Sequence, residues 1–360
     1  MRRLLLNAFV MTSVFLLGVH ARAEVTGIDV WQPESDGPRL LAPRLEGVSK
    51  QEWVMRYLRG LNASAEYRML NSGLEIGFGE GALRFSEFAP ESGEVPFAVL
   101  ANRPGHMQGS DGFLRGVLNS LDSAGAKPYI IPLGLELLLT PEELADYQNR
   151  VAKIFPAMLA IGGGDIDPAL YGDSIRGARQ VVASRDQVEA ALIRRYTLQE
   201  HGVFYGICRG SQLCAATLGF KLEQDLPTAQ PHSPIAHAVG IEGARDAAHA
   251  SEWHDIVISD ESRFLGPVVG RSRIRVNSRH HQAVVESPNS HARVVARAED
   301  GTVEALEFHN GRGVLFQFHP EDMGTEESRR IMREMVAQAR ATALRDVKGC
   351  LAAEAESLMR

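Results

Sequence analysis

An α/β fold, a mostly parallel sheet with helices on both faces, is the architecture this sequence predicts, and three observations carry the prediction. From Pro96 onward, short apolar runs alternate with amphipathic stretches of about ten to fifteen residues, the pattern of strands joined by helical crossovers. The run Val203 to Ile207 leads into Gly206-Ile207-Cys208-Arg209-Gly210, a strand that turns directly into a helix. The 360 residues are 44% hydrophobic and 23% charged. That supplies a core for one large or two ordinary domains and excludes a disordered tail, a collagen-like chain or a multi-span membrane protein.

Residues 1–23 read as an export signal. Arg2 and Arg3 form a positive start, Leu4 to Gly18 is an apolar run too short to span a bilayer, and Ala21-Arg22-Ala23 has the form of a cleavage site. Cleavage would leave an exported, periplasmic or secreted chain with no stable membrane anchor. Residues 24–94 form an extension packed on the main domain, with an independent small module as the alternative. In it, Ser49 and Glu52 make a capping box for a helix with Trp53, Tyr57, Leu58 and Leu61 on one face. Alternation punctuated by glycine from Leu74 to Phe88 predicts a hairpin.

The main domain is expected over 95–345. Phe97 to Leu100 is its first strand, Phe113 to Leu121 a helix closed by Gly125, Tyr129 to Ile131 a strand, and Pro141 to Ile154 a helix. Ala157 to Ile161 is a strand that runs into Gly162-Gly163-Gly164, Asp186 to Glu200 a helix stopped by Gly202, and Val203 to Ile207 the next strand. From Trp253 the pattern turns to strands: His254 to Ile258, Arg273 to Val276, Ala292 to Ala296, Val303 to Phe308 and Val314 to Phe318. A helix from Glu326 uses Ile331, Met335, Val336 and Ala339, and 346–360 is a helical tail.

Charge and cysteine usage narrow the function classes. The net charge of -7, from 38 basic and 45 acidic residues without a long run of either sign, excludes a concentrated basic face for nucleic acid. Cys208, Cys214 and Cys350 are too few for a disulfide framework, and at least one thiol is free. Cys208 and Cys214 lie six apart at one helix start, a poor geometry for bridging each other.

Cys208 is the candidate nucleophile. Side chains at Gly206 and Gly210 would collide in a sharp strand-to-helix turn, and the helix N-terminus beyond the turn favours thiolate. A buried structural cysteine is the bland alternative. The base is His319 in Phe316-Gln317-Phe318-His319-Pro320-Glu321, where an extended backbone puts His319 and Glu321 on one side. Gly163 and the backbone N–H of Arg209 are candidate oxyanion donors, since glycine lets N–H groups approach developing charge. The twelve histidines are scattered without paired ligand spacing apart from His280-His281, so no metal or cofactor is expected.

Gly206-Ile207-Cys208-Arg209-Gly210 followed by Gln212, with His319-Pro320-Glu321, resembles the class I glutamine amidotransferase-like superfamily. Gly162 to Gly172, Arg185-Asp186 before a helix and Asn277 to Gln282 narrow the resemblance to the γ-glutamyl hydrolase branch, peptidase family C26, and its γ-glutamyl-γ-aminobutyrate hydrolases. It spans Pro96 to Arg340. It implies a flavodoxin-like sheet, a γ-glutamyl thioester on Cys208, His319 as base and then acid, and Glu321 orienting it.

The resemblance also gives His280 and Gln282 a place lining a substrate pocket, against a solvated loop as the other reading. Gln212 either bonds the α-amino or α-carboxylate group of the glutamyl moiety or lies on the helix surface. The expected activity is exported, cysteine-dependent hydrolysis of a small-molecule γ-glutamyl amide, with no synthase domain. Its alternatives are a cell-wall peptide amidase of the same fold and a non-catalytic binder of γ-glutamyl compounds. The sequence does not specify an oligomeric state.

Overall fold

The structure, a computed structural model, describes residues 27–31, 39–49, 52–53, 55–56, 67–70, 73–78, 81–88, 94–101, 112–131, 138–198, 202–238 and 253–358. The expected export signal, and Tyr57, Leu58 and Leu61 of the expected N-terminal helix, lie outside the described residues. The Ser49 hydroxyl does accept from the Glu52 N–H, at 3.2 Å.

The first five strands are β1 (Gly27–Trp31), β2 (Arg39–Pro43), β3 (Tyr67–Leu70), β4 (Gly73–Phe78) and β5 (Gly81–Phe88). The next four, β6 (Pro96–Leu100), β7 (Lys127–Ile131), β8 (Ala157–Ala160) and β9 (Val203–Ile207), are followed by β10 (Lys221–Glu223) and β11 (Trp253–Ile258). The remaining five are β12 (Arg273–Asn277), β13 (Ala283–Val285), β14 (Ala292–Ala298), β15 (Val303–Phe308) and β16 (Gly313–Phe316). Helices are α1 (Gly112–Ser123), α2 (Pro141–Ile154), α3 (Ala183–Thr197), α4 (Arg209–Thr217), α5 (Leu226–Ala229), α6 (Leu265–Val269) and α7 (Glu326–Leu358).

The central sheet runs β7-β6-β8-β9-β16, and every pair in it is parallel. Numbered within the domain this is the order 2-1-3-4-5, the flavodoxin-like winding. From β6 the chain crosses one way through α1 to β7, then back the other way through α2 to β8 and α3 to β9. Right-handed crossovers therefore place α1 on one face and α2 and α3 on the other. α7 packs with α1 and α6, whereas α2 packs with α3, and α3 with α4. β8 and β9 are buried at every residue, which is why they read as continuous apolar runs.

Antiparallel strands extend both edges. β15, β14, β11 and β12 continue the sheet beyond β16, and β14 carries a register shift near Ala296. On the far side β2 pairs in parallel with β7 and leads to β1, β5, β4 and β3. The expected hairpin is β4–β5, with Phe78 opposite Gly81. Two of the expected ends that differ bear on the site. α3 begins three residues early, so Arg185 and Asp186 lie in its first turn rather than before it. β16 ends at Phe316, two residues before the expected end, although the Gln317 N–H still donates to the Glu304 carbonyl at 2.8 Å in the register of the β15 pairing. Residues 346–358 continue α7 without a break.

Candidate active site

The catalytic candidates sit where β8, β9 and β16 end. Cys208 occupies the N-cap position of α4 with φ 51° and ψ −113°, a left-handed backbone that a non-glycine residue adopts under strain. The flanking glycines are required by contact. A Cβ on Gly206 would stand 2.7 Å from the Ser211 nitrogen, and one on Gly210 would stand 2.1 Å from the Ala160 carbonyl oxygen. The turn thus holds Cys208 against the sheet, 7% exposed, with Cys214 fully buried one helical turn and a half further on. Both thiols are free, and burial pushes the Cys214 thiol well above its ordinary range.

His319 and Glu321 meet as expected from their spacing. His319 Nδ1 lies 2.9 Å from Glu321 Oε1, and both side chains are buried. Burial disfavours the imidazolium. The Glu321 carboxylate and the hydrogen-bonded Cys208 outweigh it and raise His319 to about 10. α1 covers the carboxylate: Ser120 Oγ donates to the Glu321 carbonyl at 3.2 Å, and Gly116 faces its Cγ.

Position within the glycine run decides what each glycine touches. A Cβ on Gly162 would lie 3.3 Å from His319 Cε1 and 3.6 Å from Cys208 Cβ, so this backbone borders both candidate residues. Gly163 lies against charge instead, its missing Cβ 3.0 Å from Arg185 Nη1 and 3.2 Å from Arg209 Cδ. The Arg209 side chain enters a buried ion cluster. It pairs with Asp186 and Glu189, Arg185 Nε pairs with Glu189 at 2.8 Å, and the Asp167 N–H donates to Asp186 at 2.8 Å. Burial works against the Arg209 cation, but Glu189 and Asp186 raise it above the ordinary arginine range. The glycine loop, α3 and the elbow are thereby locked together.

The segment Asn277 to Gln282 is buried, which corrects the reading of a solvated loop. Asn277 grips the His319 backbone from both sides: its Nδ2 donates to the His319 carbonyl at 3.0 Å, and its Oδ1 accepts from the His319 N–H at 2.9 Å. Gln212 is buried as well, which rules out the helix-surface reading. Its two amide hydrogens are committed to the Gln282 carbonyl at 3.1 Å and Gln317 Oε1 at 3.2 Å. Gln282 Nε2 donates to the Gln224 carbonyl, while its buried Oε1 has no hydrogen-bond partner among the described residues. His281 bridges Asp165 of the glycine loop at 2.9 Å and Asp225 at 3.2 Å.

His280 lies deeper than expected, and the histidines are not scattered. His237, His254 and His280 converge on Glu304. Sequence reading missed Gly162, the Asn277 clamp, the Asp186 and Glu189 cluster and this group. The Gly162, Asn277 and Arg185-Asp186 motifs carried a signal that could have flagged some of them.

Comparison with known proteins identifies the family. The family model described as Peptidase C26 matches residues 108–321. Protein NtpR of Enterococcus hirae is 31% identical over 211 residues, 58% of this chain and 80% of that protein. The glutamine amidotransferase-like protein YvdE of Lactococcus lactis is 29% identical over 190 residues, 52% of this chain and 75% of that one. With the family model spanning more than half of its length and a flavodoxin-like sheet beneath it, this chain belongs to the peptidase C26 family of the class I glutamine amidotransferase-like superfamily.

Proposed function

We propose that this protein hydrolyses γ-glutamyl amide bonds through a thioester on Cys208. The observation that carries the reading is the strained Cys208 elbow beside a His319 that is paired with Glu321 and raised to about 10. At neutral pH His319 is then an imidazolium, ready to stand opposite a thiolate. The Cys208 sulfur attacks the γ-carbonyl carbon, and the backbone N–H groups of Gly163 and Arg209 are the proposed donors to the oxyanion. The C–N bond breaks as His319 gives its proton to the departing amine. Water then attacks the thioester, His319 accepts its proton, and glutamate leaves with Cys208 restored.

Arg185 supports a glutamyl substrate. Among the described residues its buried Nη2, beside Gly163, has no hydrogen-bond partner, a cation placed to attract an α-carboxylate. Gln212, His280 and Gln282 act in this reading by holding the pocket wall rather than by touching substrate. The export signal read in residues 1–23 makes γ-glutamyl compounds outside the cytoplasm the proposed substrates. Cys208→Ala is the test: release of aniline from a γ-glutamyl anilide should fall by about 10³-fold or more. Unchanged release from the purified variant would sink the mechanism.

A further inference from the structure

Behind the contact between Gln212 and Gln282 lies a group of buried ionisable side chains that the proposed hydrolysis leaves unused. Glu304 on β15 is fully buried. His254 on β11 brings Nε2 to 3.0 Å from Glu304 Oε1, and His237 Nδ1 and His280 Nε2 each stand 3.5 Å from the same oxygen. His237 and His280 also lie ring against ring, centroids 4.9 Å apart.

The outer partners of two rings fix which nitrogen carries hydrogen. His237 Nε2 lies 2.9 Å from Asp300 Oδ2, a carboxylate that also accepts from Ser233 Oγ and the Thr302 N–H. With Nε2 donating, Nδ1 presents a lone pair. Ser278 Oγ is 3.3 Å from that Nδ1, but its hydroxyl hydrogen is directed to the His237 carbonyl at 3.2 Å. His280 Nδ1 lies 2.9 Å from the Gln282 carbonyl, which can only accept, so His280 Nε2 presents a lone pair too.

Two imidazole lone pairs and one carboxylate therefore face each other in a space closed to solvent. His280 Nε2 and Glu304 Oε2 have no hydrogen-bond partner among the described residues. Buried acceptors aimed at one another repel, and a cation between them removes the conflict.

We propose that His237 Nδ1, His280 Nε2 and the Glu304 carboxylate bind a divalent transition-metal ion of the zinc class. The three donor atoms lie within 4.8 Å of one another. The 3.5 Å separations are close to the roughly 3.3 Å edge of a tetrahedron with metal–ligand bonds of about 2.0 to 2.1 Å. Two imidazoles and one carboxylate select zinc-like ions over magnesium or calcium, which take oxygen. Each ligand is also oriented from behind: His237 by Asp300, His280 by the Gln282 carbonyl, and Glu304 by His254. That is the outer ring of carboxylates and carbonyls that metal-bound histidines use. Such a metal ties β15 to the segment that carries Asn277, and through Asn277 to His319, so its role is structural.

The test uses the untagged full chain carrying Cys208→Ala, which removes a thiol that could bind zinc by itself. After dialysis against zinc and then metal-free buffer, about one zinc per chain is expected, with a melting temperature several degrees above that of the metal-free protein. Cobalt loading should give the intense visible bands of a four-coordinate ion without thiolate charge transfer. Glu304→Gln and His280→Gln should each drop zinc below about a tenth of an equivalent, and the exposed His309→Gln should retain it. If the cluster variants fail to fold, the cobalt spectrum and the melting shift of the intact cluster still decide. Zinc retained in both folded cluster variants, or less than a tenth of an equivalent in the parent with no melting shift, would overturn the proposal. In the latter case a proton is the occupant instead.

Discussion

Replacing Asn277 with alanine tests whether His319, the proposed general base, is held by its backbone. The Asn277 amide makes two buried hydrogen bonds, 3.0 Å to the His319 carbonyl and 2.9 Å from the His319 N–H. Asn277→Ala deletes both and takes away the acceptor of the buried His319 N–H, while the His319 carbonyl keeps the Asp322 N–H at 3.1 Å. Losing that one buried bond costs about 1 to 3 kcal/mol. A water entering the vacated space would satisfy part of that demand and bring the cost toward the lower end. The His319 ring would also lose its anchor relative to Cys208, and a shift of about 1 Å at a reacting group can cost on the order of 100-fold in rate. Urea unfolding should show the midpoint falling at an unchanged slope, and kinetics with a γ-glutamyl anilide should show kcat falling more than KM rises. If both the midpoint and kcat/KM match the parent, the clamp does not position His319 and the reasoning fails.

Three further outcomes are expected. Gly210→Ala drives a Cβ to within 2.1 Å of the Ala160 carbonyl oxygen, so α4 must move off β8; stability should fall by about 1 to 3 kcal/mol or more, read by denaturant melts, with activity largely lost. Arg209→Met leaves Asp186 and Glu189 buried against Arg185 alone and should cost about 3 to 5 kcal/mol, whereas a near-neutral result would mean that the carboxylates take up protons instead. His319 is raised from 6.5 to about 10, so its contribution to stability is complete below pH 6.5 and is lost as pH rises through 10. Imidazole NMR should show a charged ring at pH 8 that titrates lower in Cys208→Ala; a parent ring titrating near 6.5 would contradict the ion pair.

What the sequence determined by itself is local. Strand and helix periods are visible in a window of a few residues, so the parallel core from Pro96 to Phe316 was legible, as were the glycines around Cys208 and the two-residue step from His319 to Glu321. These features depend on neighbours in the chain. The clamp, the ion cluster and the histidine group depend on partners 20 to 105 positions apart, such as Arg209 with Glu189, Asn277 with His319 and Gln212 with Gln317. A polar run like Asn277 to Gln282 reads as solvated because burying it is costly without partners, and no single segment reveals whether partners exist. Only the folded sheet, which sets β9, β16 and β15 in adjacent places and packs β12 against the turn that follows His319, supplied them. It thereby turned residues that look like surface into the frame that holds Cys208 and His319.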